Sequence, residues 1–311
     1  MISYAQNRED VLLARALAGT EVGIYIDAGA YDPTIDSVTR HFYDRGWHGI
    51  NIEPQPAYAA KLREARPRDI NLQVALSDQR GTAILYGLSI GDGVATINDT
   101  QARRFGELYE ISGEQPVTVT TLAAVCAEHC DPGTPISFLK VDVEGHERAV
   151  LAGADWDRWQ PRIVVVEATE PLSTRPSHAS WEPILLAAGY VFAQFDGLNR
   201  WYVRRQEPEL LESLHAPVNI LDIFEPYPWK LRVDILEAQV ASLLAAPADG
   251  GDDTTRQRAL IRSFESLQQR YHRLSDALQE ERAHRVAESK ELARLTREVE
   301  LLRPSGPEPA E

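Results

Sequence analysis

The chain has 311 residues, 43% hydrophobic and 25% charged, which fits one ordinary globular domain with an appendage rather than two full domains. Its 6 Trp, 11 Tyr and 7 Phe exclude disorder throughout, and Cys126 and Cys130, the only cysteines, are too few for a disulfide scaffold and point to a reducing, cytoplasmic setting. Net charge is −15, and the first 251 residues carry 35 acids against 21 bases, so nucleic acid is not expected as a partner. No secretory leader pattern opens the chain, and no run of 18 apolar residues predicts a membrane span.

Short β-branched runs alternate with helical patterns, which predicts crossover connections and a mostly parallel sheet. The first run, Val22 to Ala28, ends in Asp27-Ala28-Gly29-Ala30, and a helical pattern follows from about Asp36. A glycine just past a strand allows a tight turn and close approach to a ligand. Only one glycine stands where a dinucleotide fingerprint needs three, which argues against a nicotinamide dehydrogenase. The second run, Gly49 to Glu53, places Glu53 twenty-six residues after Asp27, where doubly wound nucleotide folds hold a ribose diol. The third, Ile70 to Leu76, stops at Ser77-Asp78, a hydroxyl and a carboxylate able to meet an adenine edge or simply to make a turn.

Residues 82 to 120 break the alternation and read as an insertion with two β-like stretches. Within it, Gly87-Leu88-Ser89-Ile90-Gly91 matches a hydrolase elbow but runs into Asp92-Gly93 rather than a helix, and reads as a substrate-side loop. Cys126, His129 and Cys130 lie among apolar residues at helical spacing with no second ligand pair, so they read as packing residues and no metal site is assigned. The run Ile136 to Val143 leads into the densest cluster, Lys140-Val141-Asp142-Val143-Glu144-Gly145-His146-Glu147. Three carboxylates and an imidazole there fall at a strand's carboxyl end, and Asp142 and Glu144 share a face if the strand reaches them. Capping of a helix from Glu147 to about Ala152 would account for one of these residues but hardly all. Ile163 to Glu167 reads as a strand buried on both faces, and Val191 to Phe195 with Trp201 to Arg204 as a closing antiparallel hairpin.

A Gly/Asp linker at residues 248–253 precedes a heptad pattern. Leu260, Phe264, Leu267, Tyr271, Leu274 and Leu278 step by four and three, and after Glu281, Arg285 and Glu288 the frame resumes at Leu292, Leu295, Val299 and Leu302. This predicts a coiled coil and, through it, a homo-oligomer; the alternative is an amphipathic helix folded back on the domain.

The sequence resembles the FkbM family of S-adenosylmethionine-dependent methyltransferases in residues 4–10, 26–30, 45–54, 74–78 and 140–147, over about residues 3 to 205. The resemblance implies a class I methyltransferase (Rossmann-like), mostly parallel seven-stranded sheet. It places Asp27, Gly29, Ala30, Glu53 and Pro54 at the amino-acid and ribose ends of S-adenosyl-L-methionine, Ser77 and Asp78 near adenine, and Gln6 and Asp10 in a lid element. Asp142 is expected both to touch this cofactor and to orient the acceptor, with His146 as the first candidate base and Glu144 and Glu167 as second choices. The expected division is a methyltransferase domain over 1–228, helix and linker over 229–253, coiled coil over 254–303 and a disordered tail over 304–311. The expected reaction is O-methyl transfer to a hydroxyl of a sugar, glycan or related natural product; the rival reading is a catalytically inactive methyltransferase-like scaffold that recruits partners through its coiled coil.

Overall fold

The computed structural model describes residues 1–88, 95–108, 111–131, 133–171 and 173–245, with six helical positions between 258 and 269. The chain divides into two compact units, Met1–Val218 and Asn219–Glu311. In the first unit, after a two-residue strand at Ile2–Ser3, the strands of its two larger sheets are, in chain order, β1 (Ile24–Ala28), β2 (His48–Ile52), β3 (Ile70–Leu72), β4 (Ala75–Leu76), β5 (Gly81–Leu88), β6 (Ala95–Thr96), β7 (Ile111–Thr120), β8 (Ile136–Val141), β9 (Ile163–Glu167), β10 (Tyr190–Phe195) and β11 (Asn199–Arg204). Among them run helices α1 (Glu9–Ala16), α2 (Arg40–Asp44), α3 (Pro56–Ala65), α4 (Asp99–Leu108), α5 (Leu122–His129), α6 (Glu147–Ala152), α7 (Glu182–Ala187) and α8 (Pro208–Leu214). The second unit contributes α9 (Tyr227–Ala245).

Seven strands form one mixed sheet in the order β3-β2-β1-β8-β9-β11-β10. Pairing is parallel from β3 to β9, while β11 is antiparallel to both β9 and β10. Residue alternation covers both faces, as an open parallel sheet requires. Tyr25, Phe138, Ile163, Val165 and Trp201 pack with Leu12 and Leu13 of α1, Phe42 of α2 and Leu210 and Leu214 of α8. Their neighbours Ile26, Leu139, Val164, Val166 and Tyr202 face α5, α6 and α7. Each buried aliphatic side chain of this kind contributes about 1.5–3 kcal/mol, and Ile163 to Val166 are all fully buried. The strand order reverses between β1 and β8, the place where open α/β sheets bind ligands at the strands' carboxyl ends.

The insertion forms a second sheet, β4-β7-β5-β6. The run Ile70 to Leu76 is therefore two strands rather than one. Ile70–Leu72 pairs with β2, whereas Ala75 and Leu76 have left that sheet to pair with Val119 and Thr120 of β7. The run Ile136 to Val143 is also shorter than its apolar composition predicts: β8 stops at Val141, and Glu144 (φ 53°) and Gly145 (φ 89°) turn left-handed. Asp142 and Glu144 thus share no strand face. The helix expected from about Asp36 begins only at Arg40, because Asp32 Oδ1 accepts the amides of Thr34 (2.9 Å) and Ile35 (3.0 Å) and Asp36 itself is left-handed (φ 55°). Every apolar heptad position from Leu260 to Leu302 lies outside the described residues.

Candidate active site

Three backbone bonds knit the strand ends at the reversal point. Asp142 N donates to Ala28 O (3.0 Å), while Gly29 N (2.9 Å) and Ala30 N (3.2 Å) donate to Ile52 O. Gly29 is left-handed (φ 85°), and a Cβ there would lie 1.7 Å from the carbonyl oxygen of Asp142. No side chain fits, so the turn after β1 lies directly against the turn after β8.

The turn after β2 is fastened by Glu53, whose Oε2 accepts Tyr31 N (2.9 Å) and whose Oε1 accepts Gln55 N (2.8 Å). Burial pushes this carboxyl up to about 7 despite both amides. Lys140, the penultimate residue of β8, is buried and donates to Asp142 Oδ2 at 2.9 Å. Burial alone would lower its ammonium, but Asp142, Asp27 and Glu9 outweigh that and hold it above its ordinary value. After Asp142 the loop is pinned by Glu147, whose Oε1 accepts Gly145 N (2.9 Å) and Val143 N (3.3 Å). Glu147 therefore shapes the loop, while His146 holds the cap position of α6 without a capping hydrogen bond. Burial, reinforced by Asp142 and Glu147, pushes Glu144 up to about 8. His146 is lowered by burial, with Asp78 opposing, and its Nε2 lies 3.0 Å from Ser77 Oγ.

These turns enclose a cavity of about 300 Å³. Gln6, Gly29, Glu53, Pro54, Asp142, Glu144 and His146 line it, as do Lys140 and Asp36, which the sequence pattern did not single out as site residues. The rest of the lining is largely apolar: Val74 and Leu76 precede the insertion, and Leu85, Ala95 and Ile97 belong to it. A lysine interrupting the buried run Phe138-Leu139-Lys140-Val141 was the available signal for the first; no local signal marks the insertion wall, which depends on nonlocal pairing.

The other expected site residues stand outside the lining. Asp27 is buried behind it, with Oδ2 accepting Thr39 Oγ1 (3.1 Å) and Oδ1 lacking a hydrogen bond among the described residues. Asp10 holds the N-terminal segment, accepting Ser3 Oγ and Tyr4 N, both at 2.7 Å. Ala30 serves through its amide, and Ser77 bridges His146 and Asp78 (3.2 Å) behind the wall. Glu167 is buried, raised by burial and by Asp142 and Glu144, and lies outside the lining. Among the described residues no cluster of His, Cys, Asp and Glu has a metal-holding arrangement, and no helix is long and apolar enough to cross a membrane.

The geometry defines a doubly wound α/β protein with an acidic, partly apolar cavity at its switch point. The family model for the methyltransferase FkbM domain matches residues 27–192, over half of the chain, and the chain belongs to this family of methyltransferases. It is 39% identical over 85 residues to methyltransferase sdnD of Sordaria araneosa, covering 25% of this chain and 31% of that protein, so it spans about a third of that relative's length. Among solved structures it overlaps a TehB-like SAM-dependent methyltransferase from Corynebacterium glutamicum (9% identity, TM-score 0.34, 63% of this chain and 88% of that one). It also overlaps the Methanococcus jannaschii fibrillarin pre-rRNA processing protein (11% identity, TM-score 0.29, 59% and 67%).

Proposed function

We propose that this methyltransferase uses S-adenosyl-L-methionine to methylate a hydroxyl of a sugar, glycan or related natural product, with Glu144 as the general base. The observation that carries the reading is the convergence of Glu53, Asp142 and Glu144 on one cavity around a glycine that admits no side chain. The donor set fits the cofactor. Lys140 and Asp142 offer opposite charges for an amino-acid group, the Glu53 carboxylate can accept from a ribose diol, and the wall of Val74, Leu76, Leu85 and Ile97 suits an aromatic base. Bound S-adenosylmethionine supplies an electrophilic methyl on a sulfonium. The chain's own part is alignment of the acceptor oxygen and removal of its proton.

Glu144 suits proton removal better than His146. Its carboxylate lines the cavity, makes no hydrogen bond to the described residues, and is held near the pH at which it must work. His146 Nε2 is engaged with Ser77 and reads as a support of the wall. An inert scaffold would have no use for a cavity so furnished with buried ionisable groups. Homo-oligomerisation through the heptads of residues 260–302 completes the proposal and rests on their spacing alone.

The test has two stages. Calorimetry with S-adenosylmethionine and S-adenosylhomocysteine should show saturable one-site binding, and labelled methyl should then appear on members of a panel of neutral glycosides and hydroxylated polyketides. Absence of binding to either nucleoside by the folded full chain would overturn the cofactor assignment; methylation confined to amines or thiols would overturn the acceptor class.

A further inference from the structure

The insertion does more than wall the cavity: one side chain ties it to the loop that carries Glu144. Asn98 follows β6 and stands at the N-cap of α4. Its Oδ1 accepts the amides of Thr100 (3.0 Å) and Gln101 (3.2 Å), and its own amide donates to Thr96 Oγ1 (3.0 Å). Its Nδ2 points the other way and donates to the carbonyl oxygen of Gly145 at 2.9 Å. Asn98 and Gly145 are 47 residues apart. Each follows a strand of a different sheet, Asn98 after β6 of the insertion and Gly145 after β8 of the seven-stranded sheet. The Gln101 side chain packs over the same glycine, where a Cβ would lie 2.9 Å from Gln101 Cγ.

The clasped loop needs holding. Glu144 and Gly145 are successive left-handed residues, and for a glutamate that conformation is costly unless its surroundings enforce it. Glu147 fixes the amides on one side of this turn, and Asn98 fixes the carbonyl on the other. On one side of Asn98, Ile97 lines the cavity, as Glu144 does on one side of Gly145. The bond therefore joins two segments that both carry cavity-lining residues.

We propose that Asn98 is a positioning residue that sets the Glu144 carboxylate in the cavity through the Gly145 carbonyl, separately from its capping of α4. The inference rests on the assignment of Glu144 as the base. Asn98→Asp separates the two duties, because aspartate caps a helix as well as asparagine does but has no donor for the Gly145 oxygen.

In hydrogen exchange on the full chain, N98D should speed exchange of the segment 142–147 about tenfold, the equivalent of one lost hydrogen bond, with α4 and the melting temperature unchanged. The second readout is sinefungin, which carries an ammonium where the transferable methyl would sit, compared with S-adenosylhomocysteine, which has none. N98D should lower sinefungin affinity about tenfold and leave S-adenosylhomocysteine affinity unchanged, as Glu144→Gln should. A purely structural defect would lower both affinities together. Unchanged exchange in 142–147, or equal loosening of α4, would overturn the proposal, as would an unchanged affinity ratio in N98D. Failure of the wild-type chain to bind either nucleoside would instead overturn the cofactor reading, and the exchange experiment would still report on the clasp.

Discussion

The ionisation of the loop after β8 gives the most discriminating experiment. Glu144 is held at about 8 by burial and by Asp142 and Glu147, whereas burial holds His146 below its ordinary 6.5. A general base works deprotonated, so either assignment predicts activity that rises with pH; they differ in where the rise falls. With Glu144 as base, about one molecule in ten is active at pH 7, and kcat/KM at subsaturating substrates should climb about tenfold between pH 7 and 9. With His146 as base, the midpoint of the rise should fall below pH 6.5. Initial rates of labelled methyl transfer from pH 5.5 to 9.5 resolve the two. Glu144→Gln should lower turnover about 10² to 10⁴-fold and abolish the rise, while His146→Ala should keep the rise near pH 8. A limb below 6.5 in the wild type, or full activity in E144Q, would refute the reasoning.

Gly29→Ala places a methyl group 1.7 Å from the Asp142 carbonyl at φ 85°; it should destabilise the chain by at least about 2 kcal/mol, read as a fall in melting temperature together with loss of cofactor binding. Glu53→Gln keeps an acceptor but faces an amide NH₂ toward one of two backbone donors; S-adenosylmethionine affinity by calorimetry should fall about ten- to a hundredfold, and unchanged affinity in a folded variant would remove Glu53 from the site. Light scattering should report a multimer for residues 1–311 and a smaller species after truncation near Asp249; two monomers would end the oligomer proposal, and two dimers would move the interface to the catalytic unit.

The buried strands were the legible part of the fold. β9 could be read from Ile163-Val164-Val165-Val166 because a strand covered on both faces shows an unbroken apolar run, and the closing hairpin from its spacing about Gly197. Errors arose where side chains, not periodicity, decide the backbone. Asp32 and the fully buried Arg66, whose guanidinium donates to Thr39 Oγ1 (2.8 Å) and Ser37 Oγ (2.7 Å), hold residues 33–39 in a nonhelical turn. That bond pattern is invisible in hydropathy. The break between Ile70–Leu72 and Ala75–Leu76 depends on Val119 and Thr120, more than forty residues later, so no local window contains it. The site was legible as a list of carboxylates at strand ends, and its division into lining and support was not. Asp27 and Glu53 both read as strand-end carboxylates, yet Asp27 lies inside β1 in register with Asn51, where Thr39 engages it outside the cavity lining, whereas Glu53 stands just past β2 and lines the cavity.

Crowding of carboxylates explains how a base near 8 can serve at neutral pH under the proposed reaction. Burial raises both Glu144 and Glu147, the Asp142 carboxylate adds to each, Glu147 adds further to Glu144, and Lys140 opposes the rise at Glu144. Under the proposed reaction Glu144 would share the cavity with the cationic donor, and a nearby opposite charge would favour its ionised carboxylate. Glu144 would then be ionised in the loaded enzyme, and the kcat limb should lie below the kcat/KM limb, since the two report the bound and the free enzyme. Transfer of the methyl would leave the bound donor uncharged. Glu144 would then return toward its raised value and keep the proton taken from the acceptor oxygen, so that the charge lost from the cavity and the proton gained by the base would offset each other.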